Sequence, residues 1–79
     1  MQADQIKALL EDQLVDCEIA VHTDGSHCDV TVVGDVFSGL RPVKRQQLVY
    51  AVLAEHIASG DIHAVNMSLY DREQWAAKA

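Results

Sequence analysis

The chain has 79 residues, of which 49% are hydrophobic and 23% charged, a composition typical of a folded domain rather than a disordered tail. A domain this short buries only about two-thirds of its unfolded surface, which leaves little room for an enclosed active site. The formal net charge of −6 opposes non-specific attraction to nucleic acid and anionic membranes. We therefore expect residues 1–79 to form one domain without membrane contact.

The cellular location follows from two further features of the sequence. No segment approaches the roughly 20 apolar residues of a membrane-spanning helix, and the N-terminal segment is acidic and amphipathic, unlike a signal peptide. These features predict a cytoplasmic protein. Cys17 and Cys28 do not form a CxxC motif, and in a reducing compartment both are expected to be free thiols.

The first half of the chain predicts a helix and a hairpin. An amphipathic helix is expected over residues 3–14, with one apolar stripe formed by Ile6, Leu9, Leu10 and Leu14. Two alternating runs flank Asp24-Gly25, which predicts a β-hairpin with a type I′ turn at these two residues. Counting outward from that turn pairs Thr23 with Ser26, His22 with His27, Val21 with Cys28, Ile19 with Val30, and Cys17 with Val32. His22 and His27 are expected to be a solvent-facing pair.

The second half predicts a helix, a strand and a short last helix. Pro42 suits the first turn of a helix that ends at Gly60. One face of this helix is expected to carry Val43, Gln47, Tyr50, Leu53, Ala54 and Ile57. A third strand follows over residues 62–70, and Asp71 with Gln74 resembles a capping box for the last helix. Four aromatic residues are expected to pack in or near the core: Phe37, Tyr50, Tyr70 and Trp75.

The predicted order is α-β-β-α-β-α. A strand, a helical crossover and a second strand form a βαβ unit, so the third strand should run parallel to the second. The expected fold class is α+β, with a three-stranded mixed sheet and helices packed on one face.

The topology should bring metal-binding side chains together. Parallel neighbours begin at the same edge of a sheet, about 4.8 Å apart, and here the second strand begins at His27-Cys28 and the third at His63. Imidazole and thiolate suit zinc, copper or iron–sulfur ligation, but this set is too small for a closed zinc site. His63 is either a rim residue bonded to backbone or part of a ligand set that a second protein completes.

Several segments in this order resemble the BolA family, close to its IbaG-like bacterial branch: DGSH at 24–27, VVGDVFSGL at 32–40, VKRQQLVYAVL at 43–53 and GDIHAVNMSLYDREQW at 60–75. The resemblance implies a fold similar to the class II KH domain. It also implies a monothiol glutaredoxin partner that shares a glutathione-bound 2Fe–2S cluster, with no catalysis by this chain and no cofactor in the isolated protein. The chain is then expected to be a monomer by itself and to form a heterodimer when glutaredoxin is present.

The resemblance also implies roles for particular residues. His63 matches the histidine that ligates the cluster, and a His or Cys in the hairpin loop supplies the second ligand. His27 matches that loop position best. Cys28 stands where the branch usually has Phe, and its inward register favours a smaller core residue. Because it lies beside His27, Cys28 remains the less favoured candidate for the second ligand.

A second hypothesis is that the protein binds nucleic acid as a KH-like transcriptional regulator. Arg41, Lys44 and Arg45 lie near the predicted N-terminus of a helix, a position that favours phosphate. The KH signature GxxG is absent, and with a net charge of −6 we expect binding to be weak and strongly salt-dependent. No nucleophile, base and oxyanion site can be assigned together, so an enzyme is not expected.

Overall fold

The computed structural model describes residues 2–25 and 27–78. Its elements are helix α1 (Ala3–Gln13), strand β1 (Glu18–Asp24), strand β2 (His27–Val33), a short 3-10 turn (Asp35–Phe37), helix α2 (Pro42–Ser59), strand β3 (Ala64–Tyr70) and helix α3 (Arg72–Lys78). The sheet order is β1-β2-β3, with β1 antiparallel and β3 parallel to β2. The predicted α+β fold and the mixed sheet are confirmed.

Local sequence signals account for the helix ends. Pro42 occupies the first turn of α2, and Gly60 ends that helix with a φ of 87°, in the left-handed region where glycine is favoured. At α3 the backbone N–H of Gln74 donates to Asp71 Oδ1 over 2.7 Å, while the Asp71 N–H donates to Gln74 Oε1 over 3.1 Å. The predicted capping box is therefore confirmed.

One core lies between the sheet and helices α1 and α2. It consists of Ile6, Leu10, Leu14, Cys28, Val30, Val32, Phe37, Val49, Leu53 and Ile62. Both cysteines are free, as predicted, and Cys28 points into this core with 2% of its surface exposed. Within the described part of the chain, no helix combines the length and the apolar character needed to cross a membrane.

The predicted hairpin register is wrong by two residues. Asp24 is the last residue of β1 and pairs with His27, so Gly25, with a φ of 63°, is the first of the two connecting residues. The second, Ser26, lies outside the described residues, and so does its predicted pairing with Thr23. The corrected pairs are Thr23 with Cys28, His22 with Asp29, Val21 with Val30, and Ile19 with Val32. A shift of two residues keeps every hairpin side chain on its predicted face, which is why the core-facing residues of β2 were identified correctly.

The predicted face of α2 is wrong in part: Leu53 is buried and Ile57 packs against the core as expected, but Val43 and Tyr50 do not. The buried residues are Arg45, Val49 and Leu53, whereas Val43 and Tyr50 are 55% and 49% exposed. This helix carries apolar residues on two neighbouring stripes, so helical spacing alone could not decide which one faces the core. Trp75 is 39% exposed and packs against Tyr70, with ring centroids 5.3 Å apart. Of the four aromatic residues, only Phe37 is fully buried.

Candidate functional site

The starts of β2 and β3 form one rim of the sheet. His27, the first residue of β2, pairs with Ala64, the first residue of β3, and His63 immediately precedes Ala64. Both histidines are exposed. We call this pair, His27 and His63, the histidine rim. The parallel pairing thus brings the two predicted strand starts together.

The loop before β3 positions His63. The side chain of Ile62 is 2% exposed in the core, and its backbone N–H donates to the carbonyl oxygen of His56 over 3.1 Å. A Cβ atom added to Gly60 would lie 3.9 Å from His63 Nε2, so the imidazole reaches back over this glycine. The buried isoleucine therefore anchors the loop while the adjacent histidine remains accessible.

The two candidates for a second ligand, His27 and Cys28, have different environments. Side chains alternate along β2, so the exposed His27 lies on the open face of the sheet and Cys28 on the core face. Burial, with a smaller contribution from the charge of Asp29, raises the pKa of the Cys28 thiol above its ordinary value of 9.0. The thiolate needed for metal ligation is therefore disfavoured at Cys28.

Other acidic and metal-binding side chains lie near the rim without completing a site. In residues 2–25 and 27–78, no three His, Cys, Asp or Glu side chains are grouped so that they could hold a metal ion. The predicted pairing of His22 with His27 is wrong, because His22 faces Asp29, which accepts a 3.0 Å hydrogen bond from the side-chain amide of Asn66. The rim by itself offers two imidazoles.

The three candidate phosphate-binding residues divide into two groups. Arg41 and Lys44 are exposed, but Arg45 is only 8% exposed and lies beside Phe37, its guanidinium carbon 5.9 Å from the ring centroid. The guanidinium of Arg45 donates to the carbonyl oxygens of Leu40 and Leu69 over 2.9 and 3.3 Å. It therefore links α2 to the end of β3 and does not present its donors to solvent.

Two features of this region were not anticipated from the sequence. The first is that Arg45 also donates to Gln74 Oε1 over 2.5 Å and lies 3.9 Å from the carboxylate of Asp71, so the helix cap of α3 is tied to α2.

The second feature is an apolar groove between α2 and β3. Val43 and Tyr50 line this groove and face outward. The groove could not be recognised from the sequence, because the hydropathy of these two residues suggested that they belong to the core.

The fold and the site define a class of small α+β domain, in which a parallel β2–β3 pair carries accessible histidines at its start. A family model described as "BolA-like protein" matches residues 15–74. This match spans most of the chain, and the chain belongs to the BolA family.

Individual relatives agree with this assignment. The chain is 42% identical to the acid stress protein IbaG of Escherichia coli, over 96% of this chain and 90% of the relative. It is 46% identical to the DNA-binding transcriptional regulator BolA of Vibrio cholerae, over 63% of this chain and 46% of that protein. Its structure resembles a BolA homologue from Coxiella burnetii with a TM-score of 0.83, at 28% identity and covering 96% and 97% of the two chains.

Proposed function

We propose that this chain is a non-catalytic partner of a monothiol glutaredoxin, and that the two proteins share a glutathione-bound 2Fe–2S cluster. Its role would be iron–sulfur trafficking or iron-dependent regulation. The observation that carries the proposal is the histidine rim, where two accessible imidazoles stand at adjacent strand starts. Membership of the BolA family supports the same role.

The donor set of the rim fits such a cluster. Iron–sulfur clusters are held mainly by thiolates, and imidazole ligands can replace thiolates on one iron. Thiolates from glutaredoxin and glutathione would complete the set that the rim begins. When bound, the cluster would supply redox-active iron and sulfide that can be transferred or sensed.

His27 is favoured over Cys28 as the second ligand. His27 is exposed and needs no change of the backbone to present a ring nitrogen. Cys28 would have to leave a core in which it is 2% exposed, and its raised pKa opposes the thiolate form. The role of Cys28 is then to fill the core beneath the rim, while His63 and His27 bind.

The decisive experiment is reconstitution with a monothiol glutaredoxin, glutathione, iron and sulfide, followed by visible absorption and circular dichroism. The wild type should form a heterodimer with a cluster spectrum distinct from that of glutaredoxin alone. His63→Ala should lose that spectrum while keeping the fold, and His27→Ala should alter or lose it. His22→Ala is the matched control, because His22 is also exposed on the hairpin but pairs with Asp29.

Other outcomes would revise or reject the proposal. If Cys28→Ala loses the spectrum and His27→Ala keeps it, the second ligand is the cysteine. If neither the wild type nor the variants change the glutaredoxin spectrum, this chain is not a cluster partner. Equal loss in His22→Ala and His63→Ala would mean that the hairpin surface, and not ligation, is responsible.

Nucleic-acid binding is the second candidate, supported by Arg41 and Lys44 and by the name of the Vibrio cholerae relative. With two exposed cations at the start of α2 and a net charge of −6, affinity for nucleic acid should be low and should fall steeply with salt. Fluorescence anisotropy with duplex DNA over a range of salt concentrations tests this. Tight, sequence-selective binding at physiological salt would place this function ahead of the first.

A further inference from the structure

The two edges of the sheet differ in how they are protected against pairing. Exposed strand edges are usually blunted by charge, proline or a bulge, because their free N–H and C=O groups otherwise pair with other chains. At one edge, β1 carries Glu18 and Asp24. At the other, β3 has seven residues with neither charge nor proline, and no described strand pairs with its outer side. The β3 edge is therefore open to an additional strand.

An apolar groove runs beside this open edge. It has a volume of about 500 Å³ and is lined by Val43, Gln46, Gln47, Tyr50, Ala51, Val65 and Met67. Val43 is 55% exposed and Tyr50 is 49% exposed. Apolar side chains that are grouped and exposed in this way are typical of an interaction site. Val65 and Met67 alternate along β3, so the groove can take side chains at every second position of a neighbouring strand.

The charge around the groove is opposite to that of the rest of the molecule. Residues 36–54 carry two exposed cations, Arg41 and Lys44, and no acidic residue, and β3 is uncharged. The third cation of this segment, Arg45, is buried and paired with Asp71, so it adds little to the charge of the surface. All 12 acidic residues lie elsewhere in a chain with a net charge of −6. An acidic partner segment is therefore attracted to this surface, whereas a second copy of the whole chain is repelled.

We propose that the β3 edge binds an extended, acidic segment of a partner protein, which adds as a fourth strand and places alternate apolar side chains in the groove. This mode supplies main-chain hydrogen bonds for affinity and side-chain pockets for specificity. The acidic end of the segment lies next to Arg41, because the first turn of α2 adjoins the C-terminal half of β3, where Arg45 reaches Leu69. The proposal goes beyond the cluster function and does not depend on it.

The test is an NMR titration of the ¹⁵N-labelled protein with a short synthetic peptide in which a pair of glutamates precedes alternating valine and threonine. Amide shifts should change along β3 and on the facing side of α2. An N-methylated version of the peptide keeps the side chains and removes alternate donors, so it should bind much more weakly. Val43→Asp should weaken binding by at least about tenfold, or about 1.4 kcal/mol.

Val15→Asp is the matched control, since it introduces the same charge at an apolar residue that is 72% exposed and does not line the groove. It should bind nearly as the wild type does. The proposal is overturned if the peptide does not bind, if the N-methylated peptide binds equally, or if Val15→Asp is as damaging as Val43→Asp. It is also overturned if a single-stranded oligonucleotide produces the β3 shifts instead of the peptide, or if they appear on raising the concentration of the protein alone. All of these readouts are independent of iron, so a failed cluster reconstitution leaves this result unchanged.

Discussion

The two ends of the central strand β2 are held in different ways. At its C-terminal end, the Gly34 N–H donates to the carbonyl oxygen of Tyr70 over 3.0 Å, and Arg45 joins α2 to the end of β3. Arg72 adds a 2.7 Å hydrogen bond to the carbonyl oxygen of Asp16. At the N-terminal end, His27 and Gly25 are exposed.

This difference separates the contacts that stabilise the domain from the surface that we propose binds the cluster. The network at the C-terminal end connects helices, strands and the turn after β2, so we expect side chains there to contribute to stability. At the other end, Ile62 anchors the loop and leaves the histidine rim accessible. A domain of 79 residues can leave the histidine rim exposed at one end because side-chain contacts close the opposite end. Substitutions at the two ends should therefore have separable effects.

The largest expected effect is at Arg45. Arg45→Met keeps the apolar stem but leaves the carbonyl oxygens of Leu40 and Leu69 without their donor and the carboxylate of Asp71 without its ion-pair partner. A buried group that loses its partner costs about 1–3 kcal/mol, so we expect the free energy of unfolding to fall by about 3 kcal/mol. Urea denaturation measures this. The control, Lys44→Met at the exposed neighbouring position, should change stability by less than about 0.5 kcal/mol.

Equal stability of Arg45→Met and Lys44→Met would contradict this account of the C-terminal end. It would mean that the guanidinium is solvated in solution, and Arg45 would then return to the set of candidate phosphate ligands with Arg41 and Lys44.

The next effect is at Gly34, which lies against Cys17. The extended backbone of Gly34, with a φ of −175°, suits any residue, but an added Cβ would collide with Cys17 Sγ and lie 3.2 Å from Cys17 Cβ. Overpacking of this kind costs about 1–3 kcal/mol, so Gly34→Ala should be destabilising by that amount. Removing the sulfur with Cys17→Ala should recover part of the loss. Additive effects in the double variant would show that the two side chains do not compete for space.

A smaller effect is expected from the two thiols at alkaline pH. Burial is the largest cause that raises the pKa of Cys17 and Cys28 above the ordinary value of 9.0. The folded state therefore holds these protons longer than the unfolded state, and their contribution to stability is full below pH 9.0 and is lost as the pH rises through the folded values. Stability measured from neutral pH upward should fall less steeply in Cys17→Ala and Cys28→Ala than in the wild type. If stability falls equally steeply with pH in the wild type and in both variants, the pKa values of these thiols are not raised by folding.

The smallest effect on stability is expected at the histidine rim. His27 and His63 are exposed, so His27→Ala and His63→Ala should each change the free energy of unfolding by less than about 0.5 kcal/mol. Thermal and urea unfolding measure this directly. A loss comparable to that of Arg45→Met would mean that the rim is structural, and the contrast between the two ends of β2 would disappear.

The sequence predicted the element order, the mixed sheet and the inward side of β2, because these depend on periodicity and on local signals such as Pro42, Gly60 and the Asp71–Gln74 capping box. The hairpin register was missed by two residues, since either of two adjacent dipeptides can form a turn that retains the same faces. Turn composition favoured Asp24-Gly25 over the dipeptide at 25–26. Only the pairing of the whole strands decides between these two dipeptides.

The face of α2 could not be predicted for a different reason. Hydropathy places arginine in solvent and Val43 and Tyr50 in the core, whereas the structure does the reverse. Arg45 is buried because its acceptors come from Leu40, Leu69 and Gln74, which are distant in sequence or on another element. Such long-range partners leave no local pattern. The position of His27 and His63 at adjacent strand starts was predictable, since it depends only on parallel pairing.

The most direct test of the central claim is pulsed electron paramagnetic resonance of the reduced cluster, reconstituted with ¹⁵N-histidine-labelled chain and unlabelled glutaredoxin. If the histidine rim supplies ligands, the spectrum should contain ¹⁵N couplings from this chain, and these should change in His63→Ala but persist in His22→Ala. A cluster with no ¹⁵N coupling in the wild-type complex would mean that neither His63 nor His27 binds iron, and the proposed function would be rejected.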